Sequence, residues 1–315
     1  MTNILCNNYV GGLEEQPGNQ PIRVFGLHFQ YAFENIKIEL GKPPHDYCLS
    51  SVQFRLVNED KKADGPFSTE DLIQVHDTFL SFLWSYCYGL LITAPMGGKD
   101  LSPDEYTKAT DLLKYSLTLL SHFEIWDKDQ LPNPELHGKD DHKVIGASNA
   151  CFWYAFNYIL YHEFAHIVLG HAERVTRAKS NGYEIHEDER KEMEFTADNF
   201  ALDRITEKLN GTDHEFSAII GILTAVSSLT FTSDKVAGGK DHPDPDHRLK
   251  NILEKLNKSE TEYYWGYAFW ALITWELEFY KSVNIWPTST PDKNFKRHFY
   301  ETLKNLDSFK QELHK

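Results

Sequence analysis

A chain of 315 residues, 41% hydrophobic and 14% aromatic, is long enough to bury one large core or two modest ones and too apolar to be disordered throughout. Its 47 acidic residues outnumber 32 basic ones, and the formal charge of −15 argues against nucleic acid or an anionic membrane as the main partner. The four cysteines, Cys6, Cys48, Cys87 and Cys151, show no C-x-x-C pairing, which fits free thiols in a reducing cytoplasm and argues against a Cys-rich metal site. The first ten residues carry no Lys or Arg, so no secretory signal is expected.

In chain order, Val24 to Phe29 and Val52 to Val57 alternate like strands on either side of the turn-forming Gly41-Lys42-Pro43-Pro44, which predicts a small β element. Ser68 with Asp71 reads as a helix cap, and an apolar helix is expected behind it to about Ala94, stopped by Pro95 and Gly97-Gly98. The uncharged run from Thr78 to Gly98 nearly reaches bilayer length, but Ser81, Ser85, Gly89 and Thr93 dilute it and no basic flank follows. A buried core helix is therefore expected there, with no membrane span. The aromatic stretch Tyr263 to Tyr280 carries Glu276 and Glu278 and is a weaker candidate still. Ser102-Pro103-Asp104-Glu105 opens a further helix with Leu112, Leu113, Leu117 and Leu120 as its core stripe. A polar linker from Asp127 to Lys143 then leads to a helix expected from about Ala147 to Arg174.

That helix contains His162-Glu163-Phe164-Ala165-His166, the His-Glu-x-x-His motif of zinc peptidases. At about 100° per residue, His162 and His166 stand one above the other and can reach one ion, while Glu163 sits beside them. The apolar stripe Ala155, Ile159, His162, His166, Leu169 puts both histidines on the core-facing side. On the next helix Glu194 and Asp198, again four apart, share a stripe with Leu202, Ile205 and Leu209. Carboxylates on a buried face carry a large desolvation cost unless they are paired or bind a metal.

Two histidines and one glutamate with an open position describe a catalytic zinc site, so His162, His166 and Glu194 are assigned as ligands of one zinc ion. Asp198, one turn beyond Glu194, is placed to accept the outer N–H of a ligand histidine. Glu163 is assigned as the general base that takes a proton from water and passes it to the leaving amine. A donor to the oxyanion is also needed, and His242, His247 and Arg248 are the candidates; they fall in His242-Pro243-Asp244-Pro245-Asp246-His247-Arg248, where Asp244 caps a helix and Pro245 opens it. His171 is set aside as a ligand, because on a continuous helix it points about 140° from His166, and the metzincin positions hold Leu169 and Ala172 instead. The remaining helices are expected over Phe216 to Phe231, followed by Gly238-Gly239, then Trp265 to Tyr280, then a peripheral charged one over Asp292 to Leu313.

The expected fold class is α+β and predominantly α-helical. It divides into an N-terminal α+β region over 1–100 for recognition or regulation, a zincin-like catalytic core over 101–258 and a helical region over 259–315 packed on that core.

At these residues the chain resembles the gluzincins, whose His-Glu-x-x-His is completed by Glu-x-x-x-Asp, here Glu194 to Asp198. The closer similarity is to the phage-exclusion peptidase Lit family. It rests on His162 through Leu169, on Glu194 with Ala197-Asp198, on Gly221-Ile222-Leu223-Thr224-Ala225-Val226, and on His242-Pro243 with Arg248. It covers roughly Tyr106 to Leu253. The resemblance implies a cytoplasmic bacterial zinc endopeptidase, quiet until a phage-derived peptide or protein activates it, which then cleaves elongation factor Tu and halts translation. Two other readings compete. A regulatory peptidase of a mobile element that clears a repressor is disfavoured by the lack of a basic region and by the His242 to Arg248 segment. A non-catalytic zinc-stabilised binding protein has no use for Glu163.

Overall fold

A 26-residue helix, α4 (Lys143–Val168), runs through the middle of the protein because its sequence is apolar on every side. Phe152, Ala155, Phe156, Ile159, Leu160 and Phe164 are all buried. The computed structural model describes residues 18–94, 102–136, 143–209, 211–231, 242–258, 263–279 and 294–313. Around α4 it packs α6 (Glu187–Leu209), α7 (Glu215–Phe231) and α2 (Asp77–Thr93), with α3 (Pro103–Thr118) outside α2 and α9 (Tyr263–Phe279) outside α7. A 3-10 turn, Pro21–Phe25, leads into α1 (Gly26–Leu40), which also rests on α4. One continuous cluster of buried side chains extends from Ile22 to Leu306.

Gly221 sets how closely α7 approaches α4. A Cβ there would stand 2.5 Å from the Cys151 carbonyl oxygen and 2.6 Å from Tyr154 Cβ, and the first of these is backbone that cannot turn aside. Gly221→Ala is expected to lower stability by about 1–3 kcal/mol through overpacking, read as a lower urea midpoint with unchanged m. Gly89 does the same for α2, where a Cβ would meet Leu113 Cβ of α3 at 2.7 Å.

The β element is a three-stranded sheet in the order β1 (Gln53–Val57), β3 (Leu72–His76), β2 (Phe67–Ser68), with β1 parallel and β2 antiparallel to β3. Ile73 and Val75 of the central strand are buried. Edge strand β2 lies against α4. The fold is thus α+β and predominantly helical.

Several local expectations are corrected. Val24 to Phe29 is not a strand: it spans the 3-10 turn and the start of α1, because Phe25, Phe29, Ala32, Phe33, Ile36 and Leu40 recur at helical spacing and all are buried. Ser68 does not cap a helix but closes the β2–β3 turn, where Thr69 N–H donates to the Leu72 carbonyl at 2.8 Å; the apolar helix begins only at Asp77. The motif helix stops at Val168, because Gly170 adopts φ 74° and a separate helix, α5 (His171–Ser180), starts at the next residue. By contrast, Ser102 and Glu105 form the reciprocal capping box that opens α3. Among the described residues no helix is long and apolar enough to cross a membrane. Pro95, Gly97-Gly98, Gly238-Gly239, Tyr280 and Asp292 lie outside the described residues.

The last helix, α10 (Phe295–Leu313), is less peripheral than its charge suggests, since Phe299, Leu303 and Leu306 are buried against α9 and its neighbours. Its Lys310 is buried too. The ammonium donates to Asp244 Oδ2 at 2.8 Å and to both oxygens of Asp246, at 2.8 and 2.9 Å. Asp244 stands at the N-cap position of α8 (Pro245–Leu256), as expected, but no hydrogen bond from its side chain caps the helix.

Candidate active site

The four-residue spacing on α4 does what helical geometry requires: Nε2 of His162 and Nε2 of His166 face each other at 3.1 Å. Helix α6 brings Glu194 to the same point, with Oε2 3.5 Å from His162 Nε2 and Oε1 3.5 Å from His166 Nε2. One donor atom from each side chain thus converges on a shared volume, and such a trio can hold a metal ion.

Behind the trio, Asp198 is fully buried and closely bonded. Arg248 of α8 donates to it twice, Nε to Oδ2 and Nη2 to Oδ1, each at 2.7 Å, and the Tyr158 hydroxyl donates to Oδ1 at 2.9 Å. The same Oδ1 lies 3.0 Å from Nδ1 of His162, a short contact but not a linear one. Burial alone would push the Asp198 carboxyl up, but the charge and hydrogen bonds of Arg248, with help from His162, hold it at about 2. Arg248 Nη1 also stands 3.5 Å from Glu194 Oε2, so one buried guanidinium serves both carboxylates. Burial opposes the charge of Glu194 as well, yet His162, His242 and Arg248 hold its carboxyl well below the usual range.

The two histidines are driven apart electrostatically. Burial disfavours a charged His162, but the hydrogen bonds and charges of Asp198 and Glu194 outweigh it and push its ring up to about 10. Burial and the neighbouring His162 charge push His166 down to about 3, so its ring is neutral at neutral pH and keeps one bare nitrogen. Beside them Glu163 is 6% exposed, and burial chiefly, with the Glu194 charge, raises its carboxyl against the pull of His162, Ser68 and Arg248. A buried carboxyl raised toward neutrality is suited to proton transfer.

His162, Glu163, His166, Glu194 and Arg248 line a cleft of about 600 Å³, walled by Pro66 to Thr69 at the sheet edge and by Val175 and Lys179 of α5. One known family covers this region: the family model described as Peptidase U49 matches residues 73–268. The chain belongs to the peptidase U49 family. No curated protein and no solved structure matches it. The matched segment of this peptidase runs from β3 into α9 and includes His162, Glu163, His166, Glu194, Asp198 and Arg248. It leaves out β2, which supplies Ser68, and α10, which supplies Lys310.

The three residues proposed as oxyanion donors part company in the fold. His242 lines the cleft, with Nδ1 3.3 Å from Glu194 Oε1 and 61% of its side chain exposed. Arg248 lines it too, but its guanidinium is committed to Asp198 and Glu194. His247 faces away, toward Asp246 at 3.8 Å and Asp307 at 3.6 Å, and does not line the cleft. It follows Asp246 on a helix whose inner face is taken by Asp246, Arg248 and Leu249. The sequence reading missed Tyr158, although it stands one turn before His162 on the same stripe. It also missed Ser68, for which no local signal exists.

Proposed function

We propose that this peptidase is a zinc-dependent endopeptidase, with His162, His166 and Glu194 as ligands of one zinc ion. The observation that carries this reading is the convergence of these donor atoms: the two Nε2 atoms stand 3.1 Å apart, and each lies 3.5 Å from one of the two Glu194 oxygens. Donors about 2.0–2.1 Å from a tetrahedral ion stand roughly 3.3 Å from one another, and a His₂Glu set with an open position is the catalytic type. When bound, zinc supplies Lewis acidity to the scissile carbonyl and acidifies water. Glu163 takes the proton of the attacking water and returns it to the leaving amine. His242 is the donor to the oxyanion, being the candidate that lines the cleft with most of its side chain exposed. Asp198 and Arg248 orient His162 and Glu194.

Zinc must displace a proton from His162, whose ring is pushed up to about 10 without the ion. Zinc titration near pH 7.5 is therefore expected to release about one proton, seen as a dependence of the calorimetric heat on buffer ionisation enthalpy. Protonation opposes binding, so apparent affinity rises as pH rises toward 10, by roughly tenfold per unit if His162 alone titrates. An uptake of protons, or none exchanged, would contradict the His162 assignment.

The resemblance supports a narrower proposal: a triggered phage-exclusion protease of bacterial cytoplasm, activated by a phage-derived peptide or protein and cleaving elongation factor Tu or another host protein. In this reading 1–100 serves recognition or regulation, 101–258 is the catalytic core and 259–315 its helical support. The place of Pro66 to Thr69 along the cleft favours a recognition role for the first hundred residues. The test is to express wild type and Glu163→Gln in bacteria, with and without phage, and map new protein termini by mass spectrometry. Termini at one site in elongation factor Tu, dependent on Glu163 and infection, are expected. Identical termini from both variants, despite bound zinc, would overturn the protease reading.

A further inference from the structure

The outer edges of the two ligand histidines are treated differently. Nδ1 of His162 faces the carboxylate of Asp198, whereas Nδ1 of His166 faces another imidazole, with Nδ1 of His171 at 3.2 Å. The rings meet edge-on, their centroids 5.2 Å apart and their planes at 67°. The contact is made by the helix break: Gly170, at φ 74°, turns the chain so that the first residue of α5 folds back onto the last turn of α4. A continuous helix would have pointed His171 elsewhere.

We infer that His171 is a positioning residue for His166, its Nδ1 accepting the hydrogen bond from His166 Nδ1–H. This rests on the zinc-ligand reading above. For Nε2 of His166 to face an ion with a lone pair, a neutral ring must carry its proton on Nδ1, and that N–H needs an acceptor. His171 supplies it in its Nε2–H tautomer, which fixes both the tautomer and the rotation of His166. It is not itself placed as a ligand, since its nitrogen lies on the far side of the His166 ring from Nε2. A neutral acceptor also suits a site that already holds Glu163, Glu194 and Asp198, where a fourth carboxylate would add repulsion. His171 lines the cleft as well, so a peptide lying along α5 touches the support of the His166 side directly.

The experiment compares wild type, His171→Ala and His171→Asn by chelator competition for zinc and by nitrogen-edited NMR of the histidine rings, loaded and metal-free. Asn places an oxygen near the position of Nδ1. His171→Ala is expected to weaken zinc binding by about 10–100-fold and to lose the slowly exchanging Nδ1–H signal of His166, and His171→Asn to restore both. Unchanged affinity and signal in His171→Ala would overturn the inference, and so would a loss that Asn does not repair. A change of ligand number in the cobalt-substituted His171→Ala spectrum would make His171 a ligand and overturn it too. Failure of the underlying reading looks different: wild type that binds no zinc, or binds it equally well after His162→Ala. The metal-free spectrum still reads the His166–His171 contact in that case, and a His166 ring protonated on Nε2 there would sink it.

Discussion

On the zinc-peptidase reading proposed above, purified Glu163→Gln is expected to bind zinc as wild type does and lose peptide hydrolysis by about 10²–10⁴-fold. Glutamine fills the same buried space and leaves the converging atoms of His162, His166 and Glu194 in place. What disappears is the proton acceptor. In the wild type, burial first and the Glu194 charge second raise the Glu163 carboxyl, against His162, Ser68 and Arg248. As the proposed base, Glu163 works only when ionised, so the rate should fall with decreasing pH along a limb displaced upward from the ordinary carboxylate range, and that limb should vanish in the variant. Metal content by emission spectrometry and turnover of a denatured-protein substrate check both halves. A variant within tenfold of wild type would remove Glu163 from the chemistry.

Arg248→Met should be the most damaging single change to stability, costing about 3–5 kcal/mol in the metal-free protein. Methionine fills much of the space but leaves Asp198, fully buried, and Glu194 without their shared cation. The folded Asp198 carboxyl is held at about 2, below its ordinary 3.8. Its contribution is therefore present above the unfolded value and lost as pH falls from about 4 toward 2. Without the guanidinium the carboxyl rises, and acid unfolding should begin at higher pH. Urea denaturation at pH 7 measures the first effect and an acid titration of the circular dichroism the second. Adding Asp198→Asn should recover part of the loss, because the cost lies in the uncompensated charge. A penalty below about 1 kcal/mol would mean that water reaches the pair.

The legible parts of this chain were those written in short-range spacing. The capping box at Ser102 and Glu105, the histidines four apart, and Glu194 with Asp198 on an apolar stripe each mark a helix, and the folded chain brings the histidines and the two carboxylates together. The illegible parts depend on longer or finer information. Six residues from Val24 alternate like a strand, and only the buried positions continuing to Leu40 give the helical period. An unbroken helix points His171 away from His166, and one left-handed glycine reverses that. His242 and His247 look equivalent in sequence, but His242 precedes α8 and faces the cleft, whereas His247 sits on α8 and faces away. Lys310 gives no local signal of its burial, since its two hydrogen-bonded carboxylates, Asp244 and Asp246, lie at the start of α8.

That last contact ties the motif to the order in which the chain is made. Synthesis delivers His162 and Glu163 well before α8, and α8 well before α10. The first turn of α8, which carries Asp244 and Asp246 next to Arg248, holds two acidic groups whose buried cation comes from Lys310. Until that lysine has been added, the platform under Arg248 keeps the buried Asp246 and the half-buried Asp244 without that counter-ion. A growing chain therefore displays the peptidase motif before it holds the peptidase geometry, and maturation of the site becomes a late event in its own translation.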